Sequence, residues 1–181
     1  MNSDTAPGAG TAIVAILEGV VAGDGADPPG DAPGGDDLAG LVAHLGRINA
    51  HQWWLEDDCR DRYDDDAAVA DLKRRIDSSN LRRVATVDRI DAAVADRLGP
   101  GAPDAAPAAV TPGDVIDRLS VLVLKRHHAS GRPTAEGRVA LAAAEARLAD
   151  LVTAYDLLVE SLASGALRYR AVPTAKLYGS G

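Results

Sequence analysis

Residues 38–60 carry a hydrophobic helical stripe that turns polar and charged without leaving its face. Leu38, Leu41, Val42 and Leu45 lead into Asn49, Trp53, Glu56 and Arg60 at steps of 3 and 4 residues. Side chains at those steps stack on one side of an α-helix. Burying ions is costly unless they are paired. A chain with this pattern therefore answers the stripe with partners from neighbouring helices, or gathers the polar groups into a site.

The rest of the sequence supplies neighbouring helices. Val69, Leu72, Ile76, Val87, Ile90 and Val94 mark one face of a second long helix, from about 65 to 98, with Asn80 and Arg83 inside that stripe. Gly99-Pro100-Gly101 stops it. A linker of about a dozen residues, rich in Ala and Pro, follows. Thr111-Pro112-Gly113-Asp114 is a helix start: Thr111 caps, Pro112 fits the first turn, and Asp114 stands where a capping box needs it. Leu119 to Leu124 is apolar except for Ser120, which predicts a central helix buried nearly all round. Thr134 starts a fourth long helix reaching about residue 164, with Leu141, Leu148, Leu151, Val152, Tyr155, Leu158, Val159 and Leu162 inward.

The ends are weaker. Residues 1–10 read as a polar tail, Thr11 to Val21 as a short helix, and 23–35 as a Gly-, Pro- and Asp-rich loop. The tail from Leu167 is basic and non-helical. The expected fold is all-α: a bundle of about four long helices plus a short N-terminal helix, with an irregular basic C-terminal tail. Residues 1–36 form a flexible N-terminal segment carrying the short helix, and 37–181 a single helical domain.

Composition narrows function. Phe is absent and aromatics are 3%, so Leu, Val, Ile and Ala must build the core. The net charge of −8 argues against general nucleic-acid binding, which needs a basic surface. The single Cys59 cannot close an internal disulfide. Ala12 to Val21 is interrupted by Glu18, lacks a basic start and is too short to span a bilayer. A cytoplasmic protein that binds neither nucleic acid nor membrane is expected.

Four segments carry a family resemblance: Asn49, Trp53, Glu56, Asp57 and Arg60; Lys73 to Arg83; Thr111 to Lys125; and Arg168 to Tyr178. With these motifs the chain resembles an uncharacterised bacterial family, domain of unknown function 4254, over about residues 38–178. Trp54 stands where similar proteins commonly carry His, Leu81 follows Asn80 where they often have Gln, and Gly179-Ser180 replaces a usual Asn-Asp. The resemblance implies an α-helical fold and no established activity. Similar proteins tend to be encoded beside enzymes of envelope glycan or natural-product assembly, which implies an accessory role.

The candidate site residues divide into three groups. Asn49, Trp53, Glu56, Asp57, Arg60, Asp77, Asn80, Arg83, Asp117, Arg118 and Lys125 are the expected polar core network, a device that fixes helix register. Glu56 and Asp57 with Lys125 are the alternative acid/base set, with Arg60, Arg83 or Lys125 holding an anionic substrate. Trp54, Tyr169, Lys176 and Tyr178 are expected to dock on a partner, the tail alternatively folding back over the bundle. Trp53 and Trp54 diverge by about 100° on a helix, so one should be core and the other nearer the surface.

Metal binding is not expected, because none of His44, His51, His127 and His128 has Glu three residues before it. No cofactor is expected. Cys59 reads as a small buried hydrophobe. Lys73 to Arg75 with Arg82 and Arg83 could hold an oxyanion, or form a solvated face.

The leading expectation is a non-catalytic helical accessory protein that binds and stabilises or activates a partner enzyme in natural-product or cell-envelope biosynthesis. The alternative is a small biosynthetic enzyme using the Glu/Asp/Arg/Lys cluster on an anionic substrate. A homo-oligomeric bundle is a third class.

Overall fold

A computed structural model describes residues 8–22, 27–35, 37–99 and 101–171. Five helices follow one another: α1 (Ala9–Val21), α2 (Leu38–Asp61), α3 (Asp66–Leu98), α4 (Pro112–Ser130) and α5 (Ala135–Ala163). Two short strands, β1 (Ala106–Pro107) and β2 (Leu167–Arg168), pair in parallel. The fold is all-α, four long helices plus a short N-terminal one.

Three of the long helices, α3, α4 and α5, begin where a side chain accepts an orphan backbone N–H. Asp65 accepts from the Ala68 N–H at 3.0 Å and Thr134 from that of Gly137 at 3.0 Å. Thr111 and Asp114 form a reciprocal capping box. Asp114 is therefore committed to the cap and makes no ion pair with Arg118.

The short helix starts earlier than its sequence suggests, at Ala9 rather than Thr11. The reason is tertiary: Asp156 on α5 accepts the Gly10 N–H at 2.8 Å, placing a carboxylate at the N-terminus of α1. Ile13, Leu17 and Val21 are buried with Leu41, Val42, Leu45, Ile116 and Leu119. So α1 is part of the helical core rather than an appendage, packing on α2, α4 and α5. Residues 1–7 and 23–26 lie outside the described residues.

Helix α4 is central, touching α1, α2, α3 and α5. Val115, Ile116, Leu119, Val123 and Leu124 are buried, but Val121 and Leu122 are half-exposed and Arg118 and Lys125 are exposed. One face of α4 is open, which corrects the expectation of burial all round. Its start is jammed against α3: a Cβ on Gly113 would stand 2.8 Å from the Val87 carbonyl oxygen and 2.9 Å from Asp91 Oδ1. The buried Asp91 carboxylate accepts the Gly113 N–H at 2.7 Å.

The linker and the tail meet at the same place. Ala108 N–H donates to the Arg168 carbonyl at 2.8 Å, and Arg168 Nε to that of Ala105 at 2.9 Å. Tyr169 donates its hydroxyl to the Asp91 carbonyl at 2.7 Å. The tail therefore folds back over the bundle as far as it is described.

Gly113→Ala should destabilise the protein by about 1–3 kcal/mol, because a rigid carbonyl receives the new methyl. Gly131→Ala, where the nearest atom is 3.8 Å away and φ is −77°, should cost nothing measurable. Urea unfolding of both variants checks this.

Burial raises the Asp91 pKa above its ordinary 3.8, outweighing the hydrogen bonds from Thr111 and Gly113 that lower it. The folded state thus holds this proton more tightly than the unfolded chain. Its contribution is full below the ordinary value and is lost as pH rises through the raised one. From about pH 4 upward, unfolding free energy should fall less with pH in Asp91→Asn than in the unsubstituted protein.

Candidate functional site

Side chains from two neighbouring helices converge on one carboxylate of α4. Arg83 of α3 grips Asp117 of α4 with two parallel bonds, Nε to Oδ1 at 2.7 Å and Nη2 to Oδ2 at 2.5 Å. Asn49 of α2, buried, donates through Nδ2 to Asp117 Oδ1 at 3.1 Å and to Ser120 Oγ. Ser120 returns its hydroxyl proton to the Asp117 carbonyl at 3.1 Å. The hydrogen bonds that Arg83 donates to Asp117 hold its guanidinium pKa above the ordinary value. Charge-assisted, bidentate pairing is the geometry that best repays removing ions from water. A second rung lies beside it, Gln52 Nε2 to Asn80 Oδ1 at 3.0 Å.

The remaining expected members fall outside this cluster. Glu56 faces Lys73 at 3.8 Å, with side chains 38% and 56% exposed. Asp57 pairs with Arg60 within one turn of α2, at 48% and 68% exposure. Asp77 is exposed and makes no ion pair among the described residues. Arg118 and Lys125 are exposed on the open face of α4. The polar stripe of α2 does stay on one face, but only its Asn49 end is covered. Asn49, Gln52, Trp53, Glu56 and Arg60 line a cleft of 160 Å³ with Arg83. The stripe's charged end thus meets water rather than α4.

The basic run is dispersed in the same way. Arg74 pairs with Asp71 at 3.2 Å, Arg75 stands 5.8 Å from the Trp54 ring centre, and Arg83 is spent on Asp117. It forms no common oxyanion site.

Neither tryptophan is fully buried. Trp53 stacks on His128 with ring centres 4.5 Å apart and planes 8° from parallel. Trp54 lies over His51 at 5.9 Å with Arg75 beside it. Burial, with His127 nearby, lowers the His128 pKa below its ordinary 6.5. Tyr169, expected as a docking residue, is held by Asp91 in the bundle; its pKa is raised by burial. Lys176 and Tyr178 lie outside the described residues.

Open space lies along the exposed face of α4. A cavity of 540 Å³ is lined by Arg83, Arg118, Val121, Lys125, Arg147 and Leu151, among others. A second of 390 Å³ shares Leu122, Lys125 and Arg147 with it and extends to Trp53, His128 and Arg132. The α5 wall explains the space. Gly137, Ala140, Ala144, Arg147, Leu151 and Ala154 recur at steps of 3 and 4 residues, the spacing of a packing seam. Where a bundle seam normally places Leu, this one has Ala140 and Ala144, so the helices leave a groove, while Gly137 is covered by the Arg132 backbone. Leu141, expected inward here, instead lines a separate surface cavity with Glu18 and Arg126.

A family model described as protein of unknown function (DUF4254) matches residues 39–171. The chain belongs to this family. No curated protein and no solved structure matched it. The matched span begins in α2 and contains the Asp117 cluster and every residue of the groove; α1 lies before it.

Sequence reading found Asn49, Arg83 and Asp117, but not Gln52, Arg132 or Arg147. Gln52 sits three residues after Asn49, and Asn80 three before Arg83, a double spacing that marks two rungs across one helix pair. Arg147 gave no signal, because an arginine on an Ala-rich helix reads as solvated surface. Among the described residues no group of three or more His, Cys, Asp or Glu could hold a metal ion.

Asp117→Ala strands Arg83 and leaves Asn49 only its bond to Ser120, and should lower stability by about 1–3 kcal/mol. Glu56→Gln removes a long, exposed pair and should change it by less than about 1 kcal/mol. Chemical denaturation of both variants tests the division between the bonded cluster and the open cleft.

Proposed function

We propose that this chain is a non-catalytic helical accessory protein, which binds a partner enzyme and stabilises or activates it. The observation that carries this reading is the state of the carboxylates. Asp117, at the head of the groove, is locked by Arg83 and Asn49. Asp57 is tied to Arg60, and Glu56 faces Lys73. A general acid or base must reach a substrate proton with a free lone pair or proton. Around the groove the unpaired cations Arg118, Lys125, Arg132 and Arg147 outnumber the unpaired carboxylates Asp150 and Glu136, which suits recognition rather than proton transfer.

The setting in natural-product or cell-envelope biosynthesis rests on the family resemblance and is part of the proposal. So is placement in the cytoplasm; no helix among the described residues is long and apolar enough to cross a membrane. The rival reading, a small enzyme using Glu56 and Asp57 with Lys125, draws support from Lys125, which is exposed and unpaired between the two cavities.

Co-expression with the enzyme encoded beside it should give a complex that survives size-exclusion chromatography, and the enzyme's soluble yield or turnover should rise several-fold. An enzyme with the same yield and turnover alone overturns the accessory reading. If Glu56→Gln and Asp57→Asn keep the fold but abolish the pathway's product, the enzyme reading replaces it.

A further inference from the structure

We propose that the groove between α4 and α5 binds a small amphiphilic anion, an apolar body carrying a phosphate or a similar oxyanion. Two independent features of the groove point to it. The first is charge. The chain has 27 acidic residues against 19 Lys and Arg, yet the two cavities gather Arg118, Lys125, Arg132 and Arg147 against Asp150 and Glu136. Arg83 and Asp117, also present, neutralise each other. None of those four cations has an ion-pair partner among the described residues. Unpaired cations gathered on an otherwise acidic surface repel one another, and an anion relieves that repulsion.

The second feature is the floor. Between the cations lie Val121, Leu122 and Leu151, half-buried, with Ala154 at one end and Ala140, Ala143 and Ala144 towards the other. Arg118, Val121, Leu122 and Lys125 fall at i, i+3, i+4 and i+7, so α4 presents apolar side chains between two cationic ones on one face. Cavities of 540 and 390 Å³ fall within the range of about 300–1,000 Å³ typical of small-ligand sites. Lys125 and Arg147 line both cavities, which places the oxyanion at their junction. Arg is suited to grip it bidentately. The apolar body then covers Val121, Leu122 and Leu151. A bare inorganic anion would leave that floor exposed, and a neutral apolar molecule would leave the cations unpaired.

This site does not depend on the accessory role, since it needs the chain alone. The test is isothermal titration calorimetry with 1-naphthyl phosphate as probe, beside 1-naphthol and inorganic phosphate. The phosphate ester should bind saturably, at least tenfold more tightly than either half. Lys125→Ala and Arg147→Ala, exposed positions whose folding is checked by circular dichroism, should each weaken it at least tenfold. Ala154→Leu, which fills one end of the groove, should also weaken it, while Arg138→Ala, on α5 but outside the groove, should not. Equal binding by 1-naphthol or by inorganic phosphate, no saturable binding by the ester, or folded Lys125 and Arg147 variants with unchanged affinity would each overturn the assignment. None of these outcomes bears on complex formation with a partner enzyme, which co-purification decides.

Discussion

The Asp117 carboxylate is shared by three helices, and the arrangement of the bundle around it follows from that sharing. Arg83 fixes α3 against α4 through a planar two-bond grip, while Asn49 fixes α2 against the same carboxylate and the next hydroxyl, Ser120. Apolar seams built from Leu, Val and Ile tolerate sliding by a turn, since one branched aliphatic replaces another at small cost. A half-buried ion pair does not, because a slip strands the arginine and the carboxylate without partners. The polar cluster therefore selects one register from several that hydrophobic burial alone would accept.

That register has a consequence on the adjoining face of α4. Once Asp117 and Ser120 face α2 and α3, Arg118, Val121, Leu122 and Lys125 are rotated toward α5 and solvent. Helix α5 meets them with Ala140 and Ala144 and supplies Arg147 in their midst. The groove and its cations thus adjoin the core network, with Asp117 and Arg83 at their shared edge. The same helix is pinned at its start, where Gly113 abuts α3 and Asp91 accepts its backbone N–H. Asp91 in turn presents its carbonyl to Tyr169, so the chain at Tyr169 lies over the α3–α4 junction.

Much of this was legible in the residues. The helix boundaries follow from apolar spacing, the Thr111 and Thr134 caps and the Gly99 stop, all of which act within a turn or two of chain. Asn49, Arg83 and Asp117 stand out because polar groups on apolar stripes must be answered. Glu56 and Arg60 obey the same pattern and yet face an open cleft. Periodicity shows which face a residue occupies but not whether a neighbouring helix covers that face. The early start of α1 was hidden for a related reason, since its cap is an aspartate 146 residues away.

By itself the sequence determined the all-α class, the order of the long helices, their caps and the set of polar residues that had to find partners, because each of these is fixed by local spacing and short-range hydrogen bonding. Tertiary structure alone decided which polar residues met. Asp117 went to Arg83 and Asn49, Glu56 to Lys73 and Asp57 to its own helix. It also decided that Arg147, silent in the sequence, stands beside Lys125 in a groove. Pairing and exposure depend on how far one helix extends along another and on the rotation each adopts. Those quantities are set by the sum of all contacts and by no single segment.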